Sequence, residues 1–290
     1  MEKTMNLQKL ALASALALAS ITSFAAPVAG KSSNENYIKV GSSTFQGNNE
    51  AGIGFPTTNP PDGTTAALSS LKNGPILQTD NAYTTQAGPD YFIEFNVSGS
   101  TLRMAQTWRN LSAPNGTEIY TWRQISDPVG ADRPHFGNTS IAKVSGHEVY
   151  FGEWVPKATS PVYGSSTNMV GQNDSLRTVF FVGENPTTSM PTLVNAKYDV
   201  VGLRQYNPGT QAGVYTGVLT ANYGGGKASL TGNVGYVSFA NTAISADGTF
   251  QNNNGSIQGR FYGANASALA GYYKDANSAA DHMAFGGAKR

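Results

Sequence analysis

Apolar and polar positions alternate along much of this chain, and the first clear alternation runs from Tyr91 to Val97. It turns at Ser98-Gly99-Ser100 and returns from Thr101 to Arg109. Period-two runs bounded by turn residues predict half-buried strands. Pro114-Asn115-Gly116 predicts a hairpin-type turn, with the next strand from Thr117 to Ile125. Ser140 to Val144 and His147 to Trp154 predict a further pair around Ser145-Gly146. Thr178 to Val182 predicts a strand that Asn185-Pro186 ends. Long loops are expected from Asp127 to Gly137 and from Pro156 to about Ser175. Residues 26–50 show no period and read as loose. The stretch holding Pro56, Pro60, Pro61 and Gly63 reads as loop, and Thr65 to Lys72 is a short helical candidate.

The C-terminal part has a simpler rhythm. Short strands are predicted at Lys197–Leu203, Gly213–Tyr223, Lys227–Val234, Tyr236–Ala243, Gly248–Asn252, Ser256–Tyr262, Ala268–Lys274 and His282–Phe285. Turns such as Asn207-Pro208-Gly209, Asp247-Gly248 and Asn253-Asn254-Gly255 separate them. Eight short strands at this spacing predict a closed up-and-down barrel, which leaves no sheet edge open. The fold class predicted for the whole chain is all-β, with an N-terminal β domain over 26–190 and an eight-stranded barrel over 195–290.

Composition narrows the function. Lys3 and Lys9, an Ala/Leu run from Leu10 to Leu18, and Ser23-Phe24-Ala25 form a signal-peptide pattern over residues 1–25. Secretion is the localisation this predicts. The segment carries Lys3, Lys9 and Glu2, out of 19 basic and 18 acidic residues in the chain. The remainder is therefore formally neutral, which weighs against nucleic-acid binding and electrostatic membrane anchoring. The chain has no Cys, so thiolate chemistry, iron–sulfur clusters and Cys-type zinc sites are excluded. A lipidated N-terminal Cys is excluded for the same reason. Motifs for a nucleophile elbow, an H-E-x-x-H metalloprotease and a phosphate-binding P-loop are all missing, so a binding protein is expected rather than an enzyme.

Two sets of residues carry a family resemblance. Gly259-Arg260-Phe261-Tyr262-Gly263-Ala264-Asn265-Ala266, then Ala270-Gly271-Tyr272-Tyr273, then Ala284-Phe285-Gly286-Gly287 resemble the C-terminal barrel signature of the transferrin-binding protein B-like family. Val149 to Trp154, Val179 to Thr187 and Tyr198 to Gly202 are similar to the hemophilins, the soluble, non-lipidated, haem-binding branch of that family. The resemblance implies that the N-terminal domain binds a ligand. It implies haem b as cofactor, export through a Slam-type outer-membrane translocon, and delivery to an outer-membrane TonB-dependent receptor, with a host haemoprotein as a possible haem source. The alternative on the same scaffold is capture of a host protein without haem.

A haem site in a chain without Cys needs His, Met or Tyr as axial donor. The chain has three His. His135 lies in Asp132-Arg133-Pro134-His135-Phe136-Gly137, on a loop between strand pairs, where scaffolds present binding residues. It is the first candidate ligand, with Arg133 as partner for a propionate and Phe136 as a ring contact. His147, beside the turn at Gly146, is the candidate second ligand. Tyr163, on the second long loop, is a further candidate contact. His282 reads as a hydrogen-bonded strand histidine, and Met169 and Met190 as packing residues. The remaining aromatic residues of the strands, Trp122 and Trp154 among them, read as core.

Overall fold

A computed structural model describes residues 26–44, 49–56, 65–68, 84–87, 90–97, 100–126, 135–157 and 173–290. Among them the chain forms β1 (Val28–Ser32), β2 (Lys39–Ser42), β3 (Ala51–Gly54), β4 (Ala66–Ala67), β5 (Thr84–Ala87), β6 (Asp90–Val97) and β7 (Ser100–Asn110). Next come β8 (Glu118–Gln124), β9 (Asn138–Lys143), β10 (Val149–Val155) and β11 (Thr178–Glu184). The tail supplies β12 (Leu193–Asn207), β13 (Ala212–Gly224), β14 (Lys227–Val234), β15 (Val237–Ser238) and β16 (Thr242–Ile244). It ends with β17 (Thr249–Asn252), β18 (Ile257–Tyr262), β19 (Ala268–Tyr273) and β20 (Met283–Lys289). The remaining regular structure is three single-turn 3₁₀ segments.

The tail closes into a barrel. Its strands run β13-β12-β20-β19-β18-β17-β16-β14, and β14 pairs back onto β13. Eight strands make the wall, and the two-residue β15 adds to β14. An eight-stranded barrel is just wide enough to be filled by side chains. Phe239, Phe250, Phe261 and Phe285 fill it with edge-to-face contacts of 5.0–5.4 Å for the Phe239–Phe285 and Phe250–Phe261 pairs. Gly259 makes room: a Cβ there would stand 2.2 Å from the Phe250 ring.

The eight-stranded N-terminal sheet has the order β1-β11-β10-β9-β8-β7-β6-β5, with antiparallel pairing at every step. Its middle strands are buried on both faces. Tyr120, Trp122, Ile141, Tyr150, Trp154 and Phe180 face a small sheet of β2, β3 and β4 that brings Ile53 and Phe55. Ile119, Ala142, Phe151, Val179 and Phe181 face the barrel residues Val201, Leu203, Tyr262 and Tyr272. The runs Val149-Tyr150-Phe151 and Val179-Phe180-Phe181-Val182 are continuous rather than alternating for this reason: successive side chains enter different cores.

Two expectations are corrected. Residues 26–50 are not wholly loose: Val28 to Ser32 pairs with Glu184 to Phe180 as the edge strand β1, and Lys39 to Ser42 pairs with Gly54 to Ala51. Strand β1 reads as loop because it mixes small, polar and charged residues at an edge, where hydrogen bonds rather than apolar burial hold it. The helical candidate at Thr65 begins instead as β4, with Ala66 and Ala67 paired to Ile53 and Gly52. Helix propensity gives way there to a sheet edge that the neighbouring strand offers. The rest of that candidate, and residues 1–25, lie outside the described residues.

One polar cluster sits in the dry junction between sheet and barrel. Glu153 on β10 and Arg177 before β11 form an ion pair with side chains 2% and 0% exposed. The Glu153 carboxylate also accepts from the backbone N–H groups of Gln205 (2.9 Å) and Tyr206 (2.7 Å). Those residues form an irregularity in β12, where pairing with β13 shifts between Leu203 and Asn207 and Gln205 has φ 51°. Arg177 donates further to the carbonyl of His282 (3.1 Å). Removing one partner strands a buried charge, so Arg177→Ala is expected to cost about 3–5 kcal/mol of stability. Urea denaturation checks it, and a double variant that also carries Glu153→Gln should lose less than the two single losses added.

Candidate functional site

The end of the Asp127–Gly137 loop that lies within the described residues is held at five points. The His135 N–H donates to the Pro56 carbonyl at 2.6 Å. The Trp154 indole N–H donates to the His135 carbonyl at 3.2 Å. The Thr139 hydroxyl donates to the Phe136 carbonyl at 2.5 Å. The Gly137 N–H donates to Gln124 Oε1 at 3.0 Å, and the Gln124 N–H donates to the Gly137 carbonyl at 2.7 Å. Gln124 therefore extends the ladder past the last true pair of β8 and β9, its side-chain amide acting as one more backbone acceptor.

Local sequence explains the tight path. Gly137 has φ +54°, in the left-handed region that favours glycine. A Cβ there would lie 1.9 Å from the Val155 carbonyl oxygen and 2.9 Å from the Trp154 indole nitrogen. Trp154 is itself fixed by β10 and by stacking on Tyr37, with ring centroids 5.6 Å apart and planes at 20°.

Within this frame the His135 imidazole is half-buried and has no hydrogen-bond partner among the described residues. Both its backbone groups are engaged, so the imidazole is what remains for a ligand. The next residue, Phe136, belongs to an aromatic cluster. Phe55, Trp122 and Phe136 meet edge-to-face at 5.4–6.2 Å. An imidazole nitrogen without a partner is a donor that can ligate a metal.

Phe136 is expected as a ring on the loop surface, and the structure corrects this. It is only 8% exposed and belongs to the aromatic core. The carbonyl bond from Thr139 and the Gly137 turn carry the chain inward at this residue, so its ring enters the protein. His147 is corrected as a partner of His135. It sits in the β9–β10 turn, its N–H donating to Val144 O, with its ring near Gly263 of the barrel. His135 adjoins the opposite end of β10. Seven strand residues separate the two, about 23 Å at ~3.3 Å each, so they do not share one iron. Arg133 and Tyr163 lie outside the described residues, as does Met169.

His282 accords with its structural reading. It is buried where the chain enters β20, with Nε2 3.2 Å from the Asp275 carbonyl oxygen. Met190 packs in the barrel core. Groups of three or more His, Asp or Glu able to hold a metal ion are absent among the described residues. The residues that sequence reading missed are Trp154, Gln124 and Thr139. Each sits in a strand and looks like core or ladder. The signal available was Gly137, a glycine directly after a His-Phe pair at the end of a loop.

Residues 22–167 match the family of the HphA N-terminal heme-binding domain. Among solved structures the chain is similar to HpuA from Kingella denitrificans, crystallised with human haemoglobin, at 15% identity, 91% of this chain, 90% of that chain and TM-score 0.36. It is similar to transferrin binding protein B from Haemophilus parasuis at 13% identity, 68% of this chain, 40% of that chain and TM-score 0.30. It is also similar to transferrin binding protein B from Actinobacillus pleuropneumoniae at 11% identity, 91% of this chain, 100% of that chain and TM-score 0.33.

Gly137→Ala combines left-handed backbone with a clash against the Val155 carbonyl. It should destabilise the protein by at least about 2 kcal/mol, read as a lower midpoint in urea. A separate expectation concerns pH. Burial holds the imidazoles of His147 and His282 below the ordinary value of 6.5, and Arg177 and Lys274 push His282 the same way against the Asp275 carbonyl. The unfolded chain then binds more protons than the folded one below about pH 6.5, so stability is full above that value and falls as the pH drops through it. Thermal melts from pH 8 to pH 5 should show this fall, and His282→Gln should flatten it.

Proposed function

The chain belongs to the family of the HphA N-terminal heme-binding domain, and on that premise we propose that it is a secreted hemophore. In this reading it takes up haem b outside the cell, from a host haemoprotein among other sources. It then passes the haem to an outer-membrane TonB-dependent receptor. Residues 1–25 direct export, and a Slam-type translocon carries the folded or folding barrel across the outer membrane. The absence of Cys supports a chain released without a lipid anchor.

The observation that carries the reading is the pinned His135. Its backbone is held on both sides, and its imidazole has no partner among the described residues. Haem, when bound, would supply an iron that an imidazole can ligate, and His135 would give that nitrogen. His147, at the far end of β10, takes no part in this ligation.

Haemin titration of the purified protein tests the reading. A Soret band saturating near one equivalent is expected. His135→Ala should shift that band and weaken binding by about a hundredfold or more, since the metal loses a protein ligand. An unshifted, equally tight complex of the His135→Ala protein would remove His135 as the ligand. The absence of any saturable band in the native protein would remove haem itself.

A further inference from the structure

Trp154 meets the candidate site through its indole N–H, and that group has one use. An indole carries a single N–H and accepts no hydrogen bond. In Trp154 that N–H points at the His135 carbonyl, 3.2 Å away. The ring cannot easily turn elsewhere: its plane is stacked on Tyr37, and Trp154 pairs with Thr139 across β9 and β10. The same Thr139 donates its hydroxyl to the Phe136 carbonyl at 2.5 Å. Two neighbouring residues of one ladder rung therefore hold two consecutive carbonyls of the segment that bears the histidine. Gly137 leaves the space this needs, because a Cβ there would come within 2.9 Å of the Trp154 nitrogen.

A buried indole N–H takes an acceptor, and here the acceptor is a carbonyl of the loop end that bears the histidine. The observed orientation places a donor on the backbone of a residue whose imidazole has no hydrogen-bond partner among the described residues. A ligand histidine held this way keeps its position before the metal arrives, so little order is lost on binding.

We propose that Trp154 is a positioning residue for haem: its indole N–H, backed by the Thr139 hydroxyl, fixes residues 135–137 so that the His135 imidazole stands ready to ligate iron. This rests on the assignment of His135 as the axial ligand. The test compares the full-length mature protein with its Trp154→Phe, Thr139→Val and His135→Ala variants. Phenylalanine keeps a ring against Tyr37 and removes the N–H. Valine keeps the shape of threonine and removes the hydroxyl.

Haemin affinity and the Soret and visible bands at saturation are measured for each, together with the melting curve of the haem-free protein. Trp154→Phe is expected to weaken haemin binding by about tenfold to a hundredfold, as loss of a partner behind a metal ligand does. It should also give the saturated complex mixed ligation bands, which a general loss of stability does not produce. Should Trp154→Phe fail to fold, Thr139→Val carries the test with the same expected shifts. Native affinity and native bands in Trp154→Phe, alongside a lost band in His135→Ala, would overturn the positioning role and leave His135 as ligand. A native band in His135→Ala would overturn the ligand assignment, and the positioning role with it.

Discussion

The middle strands of the central sheet, β8 to β11, have no face left for water, and most of the molecule follows from that. One face carries the small β2–β4 sheet and the other carries the barrel. Any polar group in those strands must be answered inside the protein, because the cost of an unpaired buried charge exceeds what one domain can absorb. Glu153 is such a group. Arg177 and two backbone N–H groups of β12 answer it. A buried ion pair adds little net stability over an apolar pair of the same volume. What it adds is registration. Only one placement of the barrel brings Gln205 and Tyr206 to that carboxylate, and a sliding barrel would leave a charge without partners.

The same strand serves the other face one residue later. Side chains alternate, so Glu153 points to the barrel and Trp154 to the aromatic core beside His135. The residue that registers the barrel and the residue that holds the candidate ligand are adjacent in sequence. Strand β10 is thus fixed from both sides, and the segment 135–137 is anchored to one of the stiffest parts of the sheet. The second histidine on offer fails for the same geometric reason. His147 is at the other end of β10, and a rigid strand keeps it there.

Much of the fold was legible in the sequence. The eight barrel strands follow from period-two runs and Gly/Asn turns, and closure follows from the need to remove edges. The turn at Asn115-Gly116 was legible too, since both residues take positive φ. The edge strand β1 was not legible: its residues hold their place by backbone pairing to β11, which leaves no apolar period. Nor was β4, two alanines that pair because β3 lies beside them. At the candidate site, His135 stands out by scarcity, as one of three histidines. Phe136 was misread because a ring after a loop proline gives no sign of which way the chain turns. Trp154, Gln124 and Thr139 were invisible, since a strand residue that donates to a distant loop has the same sequence signature as one that fills a core.

The anchored loop end also sets what a ligand encounters. Five hydrogen bonds are already made before anything binds. Their ordering cost belongs to folding, and it is not charged again at association. The freedom left at His135 is the rotation of its own side chain, which is a small entropy to lose. A site arranged in this way favours holding a ligand once it arrives. Strand β10 is held in turn by Glu153 and its partners in the barrel, so the Trp154 contact is as fixed as the sheet that carries it.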